Sequence, residues 1–310
     1  MVDMINRILD EIGAVVKGKD EVIRNVLMAL LSEGHVLIED VPGVGKTTLA
    51  LAFSKVLGLD YKRVQFTPDV VPSDITGFTM YDKNSGRFRY EKGAAFCNIF
   101  LADEINRTSS KTQSALLEVM EEKQATVDGK SHPLPRPFMV IATQNPEGGA
   151  GTQRLPHAQL DRFLIKISMG YPDFESELDM VRDRQKTNPL EKAEKVCGIE
   201  DILKMQEEAG SVHISEEVMA YMTGLCRRTR GDEMISLGIS PRGTLALSRM
   251  ARAAAYMEGR DFVTPADIRT VFLHVCCHRV RLSSKARAEE KDERRVLSEI
   301  LDSEKIPGPL

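Results

Sequence analysis

The 310-residue chain has no tryptophan, and aromatic residues make up only 5% of it. Its interior must be filled by aliphatic side chains and by its fourteen methionines rather than by large rings. No uncharged apolar run approaches the ~18 residues that span a bilayer, so no membrane-spanning helix is expected. The first twenty residues mix Asp3, Asp10 and Glu11 with apolar residues at helical spacing. They show no basic segment ahead of an apolar one, so no signal peptide is expected. The five cysteines, Cys97, Cys197, Cys226, Cys276 and Cys277, form no CxxC pair and have no metal-ligand spacing. Reduced, structural thiols in a cytoplasmic protein are expected.

An excess of positive charge is also missing. The 42 basic and 46 acidic residues leave a net charge of −4, which by itself favours no nucleic-acid partner. The charge is uneven, however: Gly224 to Arg295 holds fifteen Lys/Arg against nine Asp/Glu. A solvated helical surface accounts for that stretch, with a polyanion-binding face as the alternative.

Against this background the apolar pattern is regular. Ile5, Ile8, Leu9, Ile12 and Val15 repeat at helical spacing, and a second helix is expected over 20–33. Short apolar runs at 35–39, 98–102, 138–143 and 163–169 read as buried strands, with a further strand at 61–66 and helices at 47–57 and 109–122 between them. This alternation predicts a doubly wound α/β domain. Two segments break the rhythm and read as inserted β-hairpins: 80–90, with a turn at Lys83–Gly86, and 126–134, whose Asp128-Gly129 is a hairpin turn signal. After Tyr171-Pro172 the strand signal disappears, and four helices are expected at 200–209, 216–228, 241–257 and 265–275. Thr264-Pro265 with Asp267 marks the start of the last of these. The polar stretch 185–195 reads as a linker, which divides the chain into residues 1–190 and 191–310.

Two motifs carry chemistry. Asp40-Val-Pro-Gly-Val-Gly-Lys-Thr47 fits the GxxxxGK[ST] phosphate loop, except that Asp40 stands where the first glycine belongs. Gly45 lets backbone amides approach phosphate oxygens, Lys46 supplies positive charge, and the Thr47 hydroxyl can ligate Mg²⁺. Four apolar residues then lead into Asp103-Glu104, 57 residues beyond Lys46, which is the Walker B pattern. A strand end there would project both acids into the ligand crevice, Asp103 towards Mg²⁺ and Glu104 towards the attacking water. Asn145 follows another buried strand and could orient that water. Arg162, in Leu160-Asp-Arg-Phe163, could neutralise charge developing on the γ-phosphate. A turn-initiating asparagine and a surface ion pair are the plainer readings of these two.

Taken with Ser240-Pro-Arg242, this set resembles the AAA+ ATPases, and more narrowly the MoxR family. Gln65-Phe-Thr-Pro-Asp69, Pro72-Ser-Asp-Ile-Thr-Gly77, Asp103-Glu-Ile-Asn-Arg107, Ala142-Thr-Gln-Asn-Pro146, Ala158-Gln-Leu-Asp-Arg-Phe163 and Gly238-Ile-Ser-Pro-Arg242 carry the resemblance, across about residues 15–280. It implies a P-loop AAA+ core with β-hairpin inserts followed by a smaller all-helical lid, ATP/ADP and Mg²⁺ as cofactors, and a homo-oligomeric ring, usually hexameric. It further implies that Val16 and Gly18 line the adenine pocket and that Pro42, Gly43, Val44, Gly45, Lys46, Thr47 and Thr48 wrap the phosphates. Asn145 would be the first sensor, Arg162 the finger reaching a neighbour's ATP, and Arg242 the second sensor, touching the γ-phosphate. Arg107 and Arg154 are weaker candidates for contacts across subunits. The hairpins around Ser85 and Asp128 match inserts facing the pore or a surface of the ring.

The family is linked to chaperone-like remodelling or activation of partner complexes, often beside a separate von Willebrand factor A domain protein. No DxSxS metal-site motif of such a domain occurs here. A nucleic-acid motor with the same core is the alternative, supported by the basic stretch 279–295, and a slowly cycling nucleotide-gated scaffold is a third possibility. Glu104→Gln is predicted to keep ATP binding and abolish turnover, measured as nucleotide affinity beside phosphate release. Wild-type turnover in that variant would remove Glu104 from its role.

Overall fold

A computed structural model describes residues 2–145, 155–186 and 188–307. The expected helices open the chain as α1 (Val2–Val15) and α2 (Asp20–Leu31). Strand β1 (Val36–Glu39) runs through the phosphate loop into α3 (Lys46–Leu57), and β2 (Tyr61–Gln65) follows. A short α4 (Pro72–Thr76) leads into the first hairpin, β3 (Gly77–Asp82) and β4 (Arg87–Lys92). Then come β5 (Ile99–Asp103), α5 (Ser110–Glu122), the second hairpin β6 (Gln124–Val127) and β7 (Lys130–Pro133), and β8 (Met139–Gln144). The α/β part closes with α6 (His157–Leu160) and β9 (Ile165–Ile167).

Five strands form one parallel sheet in the order β2-β5-β8-β1-β9. Because side chains alternate across a strand, the sheet feeds two apolar clusters. Val36, Ile38, Ile99, Leu101, Met139 and Ile141 face α1–α3 and the C-terminal helices. Leu37, Phe100, Ala102, Val140 and Ala142 pack with α5 on the other side. The inner strands are buried on both faces, which explains their unbroken apolar runs. Edge strand β2 instead carries exposed Lys62, Arg63 and Gln65.

Both hairpins form. At the second, Asp128 and Gly129 both take positive φ (49° and 74°), the backbone that a two-residue primed turn needs. The first extends beyond the expected 80–90 to Gly77 and Lys92. Tyr90 stacks on His132 at 3.8 Å and joins the two hairpins.

The C-terminal part is helical: α7 (Phe174–Lys186), α8 (Pro189–Lys192), α9 (Ile199–Ser211), α10 (Glu216–Gly231), α11 (Pro241–Met257), α12 (Pro265–Cys276), α13 (Ser284–Ala288) and α14 (Glu293–Ser303). At the start of α12 the Asp267 carboxylate accepts the Thr264 N–H and hydroxyl, both at 2.7 Å. Two differences from expectation matter. Short strands Ile235–Leu237 and Arg281–Leu282 pair within the helical part, where no strand signal is legible. The second half of the expected linker 185–195 is docked rather than loose: Lys55 Nζ donates to the Leu190 and Glu191 carbonyls, and just beyond it the Val196 N–H donates to Val56 O. The expected division after residue 190 therefore falls inside α8, on the surface of α3.

The five cysteines are free, and burial raises every thiol pKa, to about 12 at Cys97 and about 11 at Cys197 and Cys277, which disfavours the nucleophilic thiolate. His35 is the buried polar hub of the α/β part. Its Nδ1 accepts the Val140 N–H at 3.0 Å, so Nε2 carries the proton donated to Met120 O at 2.9 Å. A second proton on Nδ1 would face another donor. Burial holds its pKa down at about 4, well below the ordinary 6.5. The unfolded chain binds that proton as the pH falls through 6.5, and the folded chain does not until about 4. Stability due to this group is therefore complete above pH 6.5 and decays below it, by about 3 kcal/mol in full. Urea titrations between pH 7 and 4.5 should show this loss, and His35→Gln should flatten it. An equal slope in the variant would assign the loss elsewhere.

Candidate functional site

Parallel strands deliver the carboxyl ends of β1, β5, β8 and β9 to the same edge of the sheet, which brings the phosphate loop, Asp103-Glu104 and Asn145 together there. Gly43 and Gly45 take φ of 89° and 98°, a left-handed backbone that turns the chain into the N-terminus of α3. Lys46 curls back over the loop and donates to Asp40 O at 2.7 Å. Its pKa is lowered, chiefly by burial, against the raising influence of Asp40, Asp103 and Glu104. The two Walker B acids thus lie within electrostatic reach of this ammonium.

Asp40 explains its own departure from the glycine pattern. Its Oδ2 accepts from Ser168 Oγ (2.8 Å), Met169 N (2.7 Å) and Gly170 N (2.6 Å), and its Oδ1 accepts from Val41 N (2.8 Å). Burial pushes the carboxyl pKa up, but these bonds outweigh it and hold it below the usual range. The carboxylate fastens the start of the phosphate loop to the segment after β9.

The Walker B acids are held by groups that sequence spacing does not reveal. Asp103 Oδ1 accepts from Thr143 Oγ1 at 2.5 Å, and Oδ2 accepts from Arg63 at 2.7 Å. Thr143 Oγ1 also accepts the Glu104 N–H at 2.9 Å. Glu104 sits at φ 56°, a left-handed conformation that costs a non-glycine residue about 1–3 kcal/mol. Its Oε2 accepts from Gln65 Nε2 and Arg107 Nη1, each at 2.8 Å. Arg107, a candidate for reaching another subunit, thus has a partner in its own chain. Asn145 follows β8, and its carbonyl accepts from Asn106 Nδ2 at 3.4 Å. Arg154 lies outside the described residues.

Beside the loop lies a cleft of about 320 Å³. Val15, Val16 and Lys17 form one wall, Gly43, Val44, Gly45 and Thr48 the floor, and Tyr171, Met180 and Leu190 from the α7–α8 region the other wall. An apolar-walled cleft opening on a phosphate loop suits a nucleotide base. Val16 lines it; Gly18 does not. Gly18 has φ 65°, and a Cβ there would come within 2.4 Å of Ser176 Oγ, so its smallness seats the α1–α2 turn against α7. Pro42 is exposed at the mouth of the loop, and Thr47 is half-buried in the first turn of α3. The α7–α8 wall was not legible as a site because it resembles a polar linker.

Arg162 and Arg242 meet, but not at the phosphate loop of their own chain. Both pair with Glu121 at the end of α5: Arg162 Nε lies 3.3 Å from Oε2, and Arg242 donates to Oε1. They line a second cavity of about 200 Å³ together with Lys123, Arg249 and Arg279. Arg242 was expected to touch the γ-phosphate from the lid. Within its own chain it sits beside Arg162: Ser240, capping α11, donates to Asp161 Oδ2 at 2.9 Å and so fixes the helix start there.

A family profile described as "ATPase family associated with various cellular activities (AAA)" matches residues 35–165, and one for an AAA lid domain matches residues 227–300. A Bacillus subtilis protein named "Uncharacterized protein YeaC" is 44% identical over 98% of this chain and 95% of its own length. Chaperone MoxR1 of Mycobacterium tuberculosis is 38% identical over 99% of this chain and 83% of its own. A crystal structure from Cytophaga hutchinsonii with a provisional ATPase assignment matches at TM-score 0.91 and 38% identity, covering 99% of this chain and 96% of that one.

Restoring the glycine of the general phosphate-loop pattern should harm this protein. Asp40→Gly removes four hydrogen bonds to a charged acceptor, and loss of a charge-assisted bond typically costs about 1.5–3 kcal/mol. A lower melting temperature and weaker nucleotide binding are expected in calorimetry. A neutral or stabilising outcome would remove Asp40 from this role.

Proposed function

The chain belongs to the MoxR family of AAA+ ATPases, and from that premise we propose that it hydrolyses ATP with Mg²⁺ at a site completed by a neighbouring copy of itself, and that the cycle remodels or activates a protein client. The observation that carries the two-subunit site is the pairing of Arg162 and Arg242 on Glu121, in a cavity separate from the cleft beside the phosphate loop. Glu121 lies in the last turn of α5, where the helix dipole disfavours an anion and no basic residue of the helix offsets it. The ion pairs are half-exposed, a setting in which such pairs contribute about 0–1 kcal/mol, so the two guanidinium groups can exchange Glu121 for a phosphate at little cost.

In this reading the amides of 42–48 and Lys46 hold the triphosphate of the protomer's own ATP, with the base between Val16 and the α7–α8 wall. Thr47 and Asp103 offer the hydroxyl and carboxylate oxygens that suit Mg²⁺, which when bound would offset charge on the β- and γ-phosphate oxygens. Glu104 polarises the attacking water once Gln65 and Arg107 release it, and Asn145 orients that water. Arg162 and Arg242 of an adjacent protomer neutralise charge developing on the γ-phosphate.

The relative named as a chaperone supports a protein client. The nucleic-acid alternative is the less favoured reading: Arg279, the first basic residue of the stretch 279–295, is buried and turned inward onto Asp161, and the net charge of the chain is −4. A von Willebrand factor A domain partner and a hexameric ring remain part of the proposal through the family.

If the site spans two protomers, specific activity rises with protein concentration, and Arg162→Ala lowers kcat by about 10³-fold, as loss of an arginine finger does, while ATP still binds. Concentration-independent specific activity, or a fully active Arg162→Ala, would defeat the two-subunit site. Capture of retained proteins on Glu104→Gln would name the client.

A further inference from the structure

The two arginines differ from the groups that hold them. Their own partner, Glu121, is half-exposed and exchangeable, yet the backbone that carries them is bolted down. Arg279, just beyond α12, is only 5% exposed. Its Nε donates to Asp161 Oδ1 at 2.8 Å, and its Nη2 to Phe163 O at 2.6 Å and Asp161 O at 3.3 Å. Its Nη1 donates to Leu164 O at 3.0 Å. One guanidinium from the helical part thus grips four oxygen acceptors, on Asp161, Phe163 and Leu164, on either side of Arg162. The other carboxylate oxygen of Asp161 accepts the Ser240 hydroxyl at 2.9 Å. Ser240 caps α11 by accepting the Gly243 N–H at 3.2 Å, and Arg242 lies in that first turn. His278 adds a contact to Phe163 O at 3.0 Å.

We propose that Asp161, Ser240 and Arg279 form a clamp that positions Arg162 and Arg242 as one rigid receptor for the terminal phosphate of a neighbouring protomer's nucleotide. The inference rests on the two-subunit reading above and adds positioning residues to it. Asp161 is the hinge pin: it adjoins Arg162 in the chain, and through Ser240 it fixes the start of the helix that carries Arg242. An arginine is required at 279 because only a planar fork reaches a carboxylate and several carbonyls at once; a lysine would keep the charge and lose that spread. The clamp also ties the helical part to the Arg162 loop, so that a movement of the helices carries both arginines together.

Arg279→Lys and Ser240→Gly test the clamp. Glycine at an N-cap is tolerated nearly as well as serine, so Ser240→Gly chiefly removes the bond to Asp161. Both full-length variants should bind a fluorescent ATP analogue with affinity within about twofold of wild type, because that cleft is built from other residues. Their kcat should fall about tenfold or more, a fraction of the 10³–10⁵ that an intact finger supplies. Each should then regain activity when co-assembled with Glu104→Gln, whose finger is intact and whose own site is dead. A merely structural defect would show in the melting temperature and would not be rescued by a neighbour. The control is Arg162→Ala co-assembled with Glu104→Gln. If the control complements and the clamp variants do not, or if the clamp variants turn over like wild type, the clamp is overturned. If the control itself fails to complement, the two-subunit reading falls and the clamp falls with it.

Discussion

The parallel direction of all five central strands is the constraint from which the rest of the site follows. Parallel pairing buries the inner strands on both faces, which dictates their apolar runs and leaves only their ends for polar chemistry. The carboxyl ends converge on one edge, so Asp40 after β1, Asp103 and Glu104 at β5, Thr143 within β8 and Ser168 after β9 become neighbours although the chain spaces them tens of residues apart. The sheet thus assembles the site from single residues, each at the point where its strand runs out.

That convergence concentrates negative charge, and the structure answers each anion with a specific donor set. Asp40 is satisfied by one hydroxyl and three amides, Asp103 by Thr143 and Arg63, and Glu104 by Gln65 and Arg107. The sets differ in permanence. Asp40 is buried, and its partners are mostly backbone, so it belongs to the scaffold. Glu104 is held by two side chains on a strained backbone, an arrangement that can be released without unfolding anything. Glu121, disfavoured by its own helix, is the most readily replaced.

What was legible in the sequence was local. The phosphate loop, the Asp103-Glu104 strand end and the Asp128-Gly129 turn each encode their geometry within a few residues, because glycine backbone freedom and strand periodicity act at short range. The α/β core followed by helices was legible for the same reason. What stayed hidden depends on partners far along the chain. Asp40 looked like a flaw in a motif until Ser168–Gly170 came to it, and residues 185–195 looked like a linker because polarity says nothing about docking onto α3. Arg279 counted as surface charge, although it is among the most buried polar groups of the fold. Charge composition records how many ions a segment has, not which of them face inward.

Arg279 also bears on how the helical part communicates. The same helical part supplies the α7–α8 wall of the cleft and, through Arg279 and Ser240, the mounting of Arg162 and Arg242. In the proposed cycle, nucleotide bound in a protomer's own cleft presses on α7 and α8, whereas the arginines it offers to its neighbour hang from α11 and the end of α12. One continuous apolar cluster, against which Leu190 of α8 packs, links α1–α3 to α11 and α12, so a shift at the cleft has a packed path to the arginines. A ring built this way would not need a separate relay between sites. The occupancy of one protomer would be felt by the next through the position of two side chains fixed to one buried guanidinium.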